Sequence, residues 1–220
     1  MWLSYNWKGS FKILRLFLST FFCITFVNAI DIDGVLDEEE WDRAQQISDF
    51  TTIVPYNFED PKYRTNVKIF TNQDGIYVGF INEQDNETVR SFNHIRDDWD
   101  DRGDKNSFTI DFDGNSKVAY GFTVSLGDSL SDATYTNGNT ESKDWDGDWI
   151  ARTFKGDNFW SSEFFIPWTV VPMQKVDGPK RNVKFIAFRW LASDEYGFGS
   201  TKTNWERETF IYDLEDLVID

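Results

Sequence analysis

The chain has 220 residues, of which 18% are aromatic and 27% charged, with one cysteine, one histidine and a formal net charge of −16. An acidic field of this size repels nucleic acid and anionic lipid, so it excludes both as partners and favours neutral ligands or divalent cations. The acidity also suits an exported protein, because like charges keep it soluble.

The first 29 residues have the pattern of an export signal. Lys8, Lys12 and Arg15 form a basic leader, the apolar run Leu16–Val27 follows, and small residues precede a cleavage point after Ala29. The run is shorter than the ~20 residues that span a bilayer as a helix, so a retained membrane anchor is the alternative rather than the expectation. We expect a signal peptide at 1–29 and a mature domain at 30–220 that is periplasmic, on the cell surface or extracellular.

The predicted mature chain has few side chains suited to nucleophilic catalysis. The one cysteine, Cys23, lies inside the predicted signal peptide, and His94 is the only histidine. Disulfides and thiolate metal sites are therefore excluded, and a histidine-based triad would have to be built around His94 alone. A pair of carboxylates can hydrolyse a glycosidic bond, but spacing selects no pair here. The sequence predicts a domain that is not an enzyme.

Short segments of alternating apolar and polar residues, separated by Asp, Asn and Gly clusters, predict strands. Helical character is confined to Glu38–Ala44 and the turn after Pro167. This pattern predicts an all-β fold: a single antiparallel β-sandwich, jelly-roll-like, with one or two short helices in a domain of roughly 190 residues. In chain order the expected strands are Ile47–Ile53, Asn66–Thr71, Ile76–Asn82, Ser107–Asp113, Ala119–Ser125, Trp149–Phe154, Trp160–Ile166, Val183–Leu191 and Thr209–Tyr212.

Six segments in this order carry a resemblance to a known family. They read IDGVLDEEEW, NVKIFTNQDGIYVGF, RDDWDDRGDKNSFTIDFDG, YGFTVSLGD, WDGDWIARTF and EFFIPW. Together they resemble the family 9 carbohydrate-binding modules of secreted glycoside hydrolases. The DDWDDRGD, YGFTV and EFFIPW segments are most similar to the related domains at the N-terminus of certain bacterial outer-membrane proteins. The resemblance covers nearly the whole predicted mature chain, although no single segment is specific.

The resemblance implies a sugar site made by two tryptophans that clamp a terminal sugar ring. Trp99 and Trp205 stand where those tryptophans would be expected. The C–H face of a pyranose stacks on an indole, and burial of that face supplies affinity without charge. Polar side chains near them in sequence would hydrogen-bond the sugar hydroxyls, namely Arg96, Asp98, Asn204 and Arg207.

Acidic loops make calcium a candidate structural ion, because carboxylates are the ligands that it prefers. The candidate ligands are Asp144, Asp146 and Asp148. Their loop does not fit the helix–loop–helix calcium pattern, because Gly147 is misplaced and Lys155 stands where the bidentate Glu belongs. A solvated acidic loop without metal is the alternative.

The expected function is that of an exported carbohydrate-binding module that holds a glucan or xylan chain end during polysaccharide breakdown or uptake. Its partners would be an oligo- or polysaccharide and, beyond that, a glycoside hydrolase or an outer-membrane protein. The alternative is a non-catalytic periplasmic or surface interaction domain, or the N-terminal part of an outer-membrane protein, without a working sugar site.

Overall fold

Thirteen strands and two 3₁₀ helices make up the computed structural model, which describes residues 30–98, 101–175, 180–204 and 206–219. The 3₁₀ helices are Glu39–Asp42 and Phe210–Tyr212. The strands are β1 Gln45–Ile47, β2 Thr51–Val54, β3 Thr65–Thr71, β4 Gly75–Glu83, β5 Lys105–Asp111, β6 Val118–Ser125, β7 Ser129–Thr136, β8 Thr140–Ser142, β9 Ile150–Lys155, β10 Phe159–Pro167, β11 Arg181–Leu191, β12 Tyr196–Gly199 and β13 Glu215–Ile219.

The strands form two antiparallel sheets that pack face to face. The five-stranded sheet has the order β1-β3-β4-β10-β9, and the eight-stranded sheet has the order β2-β12-β11-β5-β6-β7-β8, with β13 paired to β11. The predicted all-β sandwich is therefore confirmed. In the described part of the chain, no helix is both long enough and apolar enough to cross a bilayer.

The main core lies between the two sheets, where one face of each strand is apolar. Val67 and Ile69 of β3 and Phe164 of β10 meet Phe108 and Phe122 of the larger sheet in one buried cluster. Alternate side chains along a strand point to opposite faces, which is why these residues recur at every second position.

A charged network lies at one end of this core. Arg189 on β11 is fully buried and donates to the Thr65 hydroxyl, to the Gln84 side-chain oxygen at 2.9 Å and to the backbone carbonyl oxygens of Arg64 and Glu83. Burial lowers its pKa to about 10, and Asp104 opposes that shift. These hydrogen bonds compensate for taking the guanidinium out of water.

From Phe185 to Leu191, the residues of β11 are buried on both of its faces. Phe185, Ala187 and Leu191 point into the main core, whereas Phe188 and Trp190 belong to a second apolar cluster on the opposite face of the larger sheet. Part of that cluster is covered by Phe210 and Ile211 of the second 3₁₀ helix and by Leu214, which precedes β13. The uncovered remainder contains the candidate site.

Several predicted elements differ from the structure. The segment Ile47–Ile53 does not form one strand, because β1 and β2 belong to different sheets. The predicted strand Thr209–Tyr212 is a 3₁₀ helix in its last three residues, and a turn follows Pro167 in place of a helix. Strands β7, β8, β12 and β13 were not predicted, because they are short or rich in Ser, Thr, Asp and Gly.

The segment before the first 3₁₀ helix is tied to the smaller sheet by one buried carboxylate. Glu163 on β10 accepts hydrogen bonds from the backbone N–H groups of Asp33 and Gly34 and from Trp41 Nε1 at 3.0 Å. Trp41 is buried as well and also donates to Glu38. Burial raises the pKa of Glu163 to about 7, against the lowering effect of its N–H donors.

Candidate functional site

The open part of the larger sheet's outer face is a cleft of about 560 Å³. Its position follows from the strand order, since β2, β7 and β11 each turn apolar side chains towards this face. The apolar lining consists of Ile53, Val54, Pro55, Tyr56, Tyr135, Phe188 and Trp190, and the polar rim consists of Asp101, Glu141, Lys143, Asn204 and Glu206. An apolar cavity with a few convergent polar groups is the usual form of a small-molecule site. We call this opening the cleft.

The aromatic residues of the cleft are mostly embedded in the sheet. Tyr135, Phe188 and Trp190 are less than a tenth exposed, whereas Tyr56 at the edge is 45% exposed. Burial raises the pKa of the Tyr135 hydroxyl well above its usual range, so it stays protonated. A ring held on a rigid strand presents its face or edge without losing side-chain entropy on binding, which favours an aromatic platform.

The first rim segment, by which we mean the described residues 94–98 and 101, is anchored to the larger sheet near both of its ends. Trp190 Nε1 donates to the backbone carbonyl oxygen of Asp101 at 2.9 Å. Upstream, the backbone N–H of His94 donates to Ser129 Oγ, and His94 Nε2 lies 2.7 Å from Ser125 Oγ. His94 is therefore used to hold this segment on β6 and β7.

The second rim segment, by which we mean the described residues 203, 204 and 206, is held by its own side chains, and the chain that follows it is held by the β7–β8 turn. Asn204 Oδ1 accepts the backbone N–H of Glu206 at 2.9 Å, and the Thr203 hydroxyl donates to Asp213. Farther along, the backbone N–H of Ile211 donates to the carbonyl oxygen of Gly138 at 3.0 Å. These contacts place Asn204 and Glu206 at the cleft.

The two tryptophans predicted to clamp a sugar, Trp99 and Trp205, lie outside the described residues. Their neighbours in the chain do not: Asp101 comes two positions after Trp99, and Asn204 and Glu206 flank Trp205. All three of these neighbours line the cleft. The two segments singled out in the sequence thus contribute to the rim of a single opening.

The four polar residues predicted around the tryptophans divide into two groups. Asn204 lines the cleft, and the guanidinium of Arg207 lies 5.9 Å from the ring centroid of Tyr56. Arg96 and Asp98 are not among the described residues that line it. Asp98 is exposed to solvent, and its backbone N–H donates to Ile95.

The guanidinium of Arg96 forms ion pairs with three carboxylates. It lies 2.7 Å from Asp132, 3.2 Å from Asp146 and 3.8 Å from Asp97. Asp132 is buried, and its Oδ2 also accepts from the backbone N–H of Gly147 at 2.9 Å and from Trp149 Nε1. Arg96 therefore links the first rim segment to β7 and to the loop before β9.

The same carboxylates are the group that fits a hard cation. Oxygen atoms of Asp97, Asp132 and Asp146 lie within 4.8 Å of one another, and the buried Asp132 Oδ1 has no hydrogen-bond partner among the described residues. Of the three predicted ligands, only Asp146 belongs to this group. Asp144 accepts the Ser142 hydroxyl, and Asp148 is exposed.

Sequence reasoning did not single out Tyr135, Phe188 and Trp190 as lining a site. The available signal was the nearly continuous apolar run Phe185–Leu191, since a strand that is apolar at both odd and even positions has both faces covered. Such a run indicates a second buried face, although it does not tell where that face opens to solvent.

Comparison with known proteins supports the fold. No family model matches the chain, and no curated protein matches it in sequence. Among solved structures, a Bacteroides uniformis protein to which carbohydrate binding is ascribed has a TM-score of 0.63 at 10% identity, covering 82% of this chain and 88% of that one.

Two further matches are family 9 carbohydrate-binding modules from Caldicellulosiruptor kristjanssonii. The one solved with cellotriose has a TM-score of 0.58 at 12% identity and covers 87% of this chain and 89% of that one. The one solved with glucose has a TM-score of 0.55 at 11% identity and covers 87% and 92%. The chain therefore has a fold like that of family 9 modules, as its sequence motifs predicted.

Proposed function

We propose that the protein is an exported, non-catalytic carbohydrate-binding module that holds the end of a saccharide in the cleft. One observation carries the proposal: a single aromatic opening is lined by Asp101, Asn204 and Glu206. These residues lie within two positions of the two predicted sugar-clamping tryptophans in the chain. The likeness in fold to modules solved with cellotriose and glucose supports it.

The lining of the cleft suits a sugar on physical grounds. A pyranose has apolar C–H faces and a polar rim of hydroxyls, so it needs aromatic surface together with hydrogen-bonding groups around the edge. Phe188, Trp190 and Tyr56 supply the surface, and Asn204 and Lys143 supply amide and ammonium donors. Glucan and xylan chain ends are the first ligands to test.

Titration calorimetry with cellotriose and xylotriose tests the proposal. Wild-type protein is expected to bind at least one of them, and Trp99→Ala and Trp205→Ala are each expected to weaken binding by about tenfold or more, as for aromatic hot spots. Phe154→Ala is the matched control, because Phe154 is an exposed aromatic residue of β9 in the other sheet. Absence of heat with every saccharide would favour an interaction domain without a sugar site.

Export is part of the proposal and has its own test. The basic leader and apolar run before Ala29 support cleavage by a signal peptidase. N-terminal sequencing of protein recovered outside the cytoplasm is expected to begin at Ile30. An N-terminus at Met1 in that fraction would contradict cleavage. A role beside a glycoside hydrolase or an outer-membrane protein would follow from where the cleaved protein is found.

The structural calcium suggested by the acidic loops would be held by Asp97, Asp132 and Asp146. These residues fit a cation because Asp132 Oδ1 is buried without a partner among the described residues. The ion would supply positive charge and fix the first rim segment to β7 and to the loop before β9. Arg96 supplies such a charge in the structure, so we propose that calcium adds to its effect rather than being essential.

A further inference from the structure

The unpartnered charges of the cleft are negative. Glu141 at β8 and Glu206 in the second rim segment both line it and are exposed. Within the described part of the chain, no N–H or O–H group donates a hydrogen bond to either carboxylate. Two exposed carboxylates at the rim of a small opening create a local potential that attracts cations.

Two of the described cations near the cleft, Lys143 and Arg207, make contacts of their own. Lys143 Nζ donates to the backbone carbonyl oxygen of Asp97 at 3.1 Å, which draws its ammonium towards the first rim segment. The guanidinium of Arg207 lies over the ring of Tyr56. These contacts leave both positive charges in place, but the described lining still carries three carboxylates, those of Asp101, Glu141 and Glu206, against the one ammonium of Lys143.

The backbone brings the two carboxylates to the same opening. The segment that follows Glu206 lies on the β7–β8 turn, where Ile211 N–H donates to Gly138, and Glu141 follows that turn directly. Gly138 has a φ of +92°, and a Cβ at this position would overlap the Glu208 carbonyl oxygen. A glycine is needed there, and its close contact sets the position of Glu206 relative to Glu141.

The aromatic lining adds to the same preference. Trp190 lies in the floor of the cleft, whereas the ring of Tyr56 at its edge already has the Arg207 guanidinium over it. Aromatic faces attract cations as well as the C–H faces of sugars. A ligand with both a sugar face and a positive charge would use the two features at once.

We propose that the cleft selects a saccharide that carries free, protonated amino groups, as in an oligomer of β-linked glucosamine, over its neutral counterparts. This inference rests on the proposed function, because it concerns which saccharide the same cleft prefers. The amine would lie near the carboxylates of Glu141 and Glu206, and the ring would lie on the aromatic lining.

Three trimers with the same linkage test the preference by titration in mildly acidic buffer of low ionic strength. They are the glucose trimer, the glucosamine trimer and the N-acetylglucosamine trimer, which matches the substitution at C2 without its charge. The glucosamine trimer is expected to bind about tenfold more tightly than the glucose trimer, and added salt is expected to reduce this ratio. The N-acetylated trimer is expected to show no such advantage.

The outcomes separate the two proposals. If the glucose trimer binds as well as the glucosamine trimer, the preference is wrong and the proposed function stands. If none of the trimers binds, the proposed function fails and the preference fails with it. An advantage for the N-acetylated trimer equal to that of the amine would overturn the role of charge.

Paired variants test which carboxylates are responsible. Glu141→Gln together with Glu206→Gln is expected to bring the ratio of amine to neutral affinity down towards one. Glu39→Gln with Glu87→Gln is the matched control, since it removes the same total charge at exposed positions away from the cleft. A ratio that survives in the first pair, or that falls equally in both pairs, would overturn the assignment.

Discussion

Trp190 and Asp101 are joined by a 2.9 Å hydrogen bond from the indole Nε1 to the backbone carbonyl oxygen. The bond connects the floor of the cleft to its first rim segment, so the same side chain supplies apolar surface and positions the chain that borders it. Trp190 can do both because its strand, β11, is paired with β5 on one side and with β12 on the other.

Replacing Trp190 by Phe separates these two tasks. Phe keeps an aromatic ring but cannot donate to Asp101, so the rim segment loses its fixed position and one carbonyl group loses a partner. We expect a loss of about 1 kcal/mol in the free energy of unfolding and a several-fold weaker affinity for saccharide. Urea unfolding and calorimetry measure the two effects. Unchanged affinity in a stably folded variant would contradict the positioning role of this bond.

Replacing Arg96 by Met tests the charge balance around Asp132. The carboxylate would remain buried and would keep the N–H donors of Gly147 and Trp149, but it would lose its ion pair. We expect the free energy of unfolding to fall by about 2 kcal/mol, because a buried carboxylate without a counter-charge is costly. Arg152→Met, an exposed arginine of β9, is the control and is expected to change little.

Calcium is expected to matter more when Arg96 is absent. Binding to the folded state raises stability by mass action, and the group Asp97, Asp132 and Asp146 is more negative without the guanidinium. Added calcium should therefore raise the Tm of Arg96→Met more than that of the wild type, and chelator should reverse the rise. Asp146→Asn in the same background should abolish the response. A Tm that does not change with calcium in either protein would leave Arg96 as the source of positive charge and would refute the calcium proposal.

Glu163 is expected to make stability depend on pH between about 4.5 and about 7. Burial raises its pKa from the usual 4.5 to about 7 in the folded protein. Below about pH 4.5 the carboxyl is protonated in both states, so its effect on stability is fully favourable there. As the pH rises through the window, the unfolded chain loses its proton more readily, and the free energy of unfolding falls by about 3 kcal/mol.

Comparison of the wild type with Glu163→Gln isolates this effect. The amide does not titrate, so the fall across the window should be smaller in the variant by the contribution of Glu163. Its overall stability should also be lower, because the amide NH₂ group would face the N–H donors of Asp33, Gly34 or Trp41. Glu39→Gln, an exposed control, should keep the wild-type slope. Parallel profiles for wild type and Glu163→Gln would show that Glu163 does not titrate in this window.

Some of the strands that were predicted correctly have a period of two. In β3, Val67 and Ile69 of the core alternate with Asn66 and Lys68, because one face of this strand packs in the core. Strand β7 was not predicted, because it carries Asp132. An aspartate in a sequence usually indicates a loop, and its burial on a strand is explained only by its partners. Those partners are Arg96, Gly147 and Trp149, which lie 15 to 36 positions away.

The sequence singled out the acidic and aromatic loops, but it did not predict which of their side chains lie together. Asp144, Asp146 and Asp148 are close in the chain, yet only Asp146 joins Asp132 and Asp97. A spacing of two places side chains on one face only in a regular strand, and the segment 143–149 that carries these residues is not one. Arg96, predicted to bind sugar, lies against these carboxylates, and spacing cannot reveal such a long-range contact.

The sequence by itself determined the class of fold, because the period of two and the turn residues between segments are local properties of the chain. Its motifs also predicted the likeness to family 9 modules, which the comparison of structures confirmed. Only the tertiary structure decided which face of the larger sheet opens as a cleft and which rim segments meet there. That choice depends on how Phe210, Ile211 and Leu214 cover part of an apolar face and leave the rest exposed.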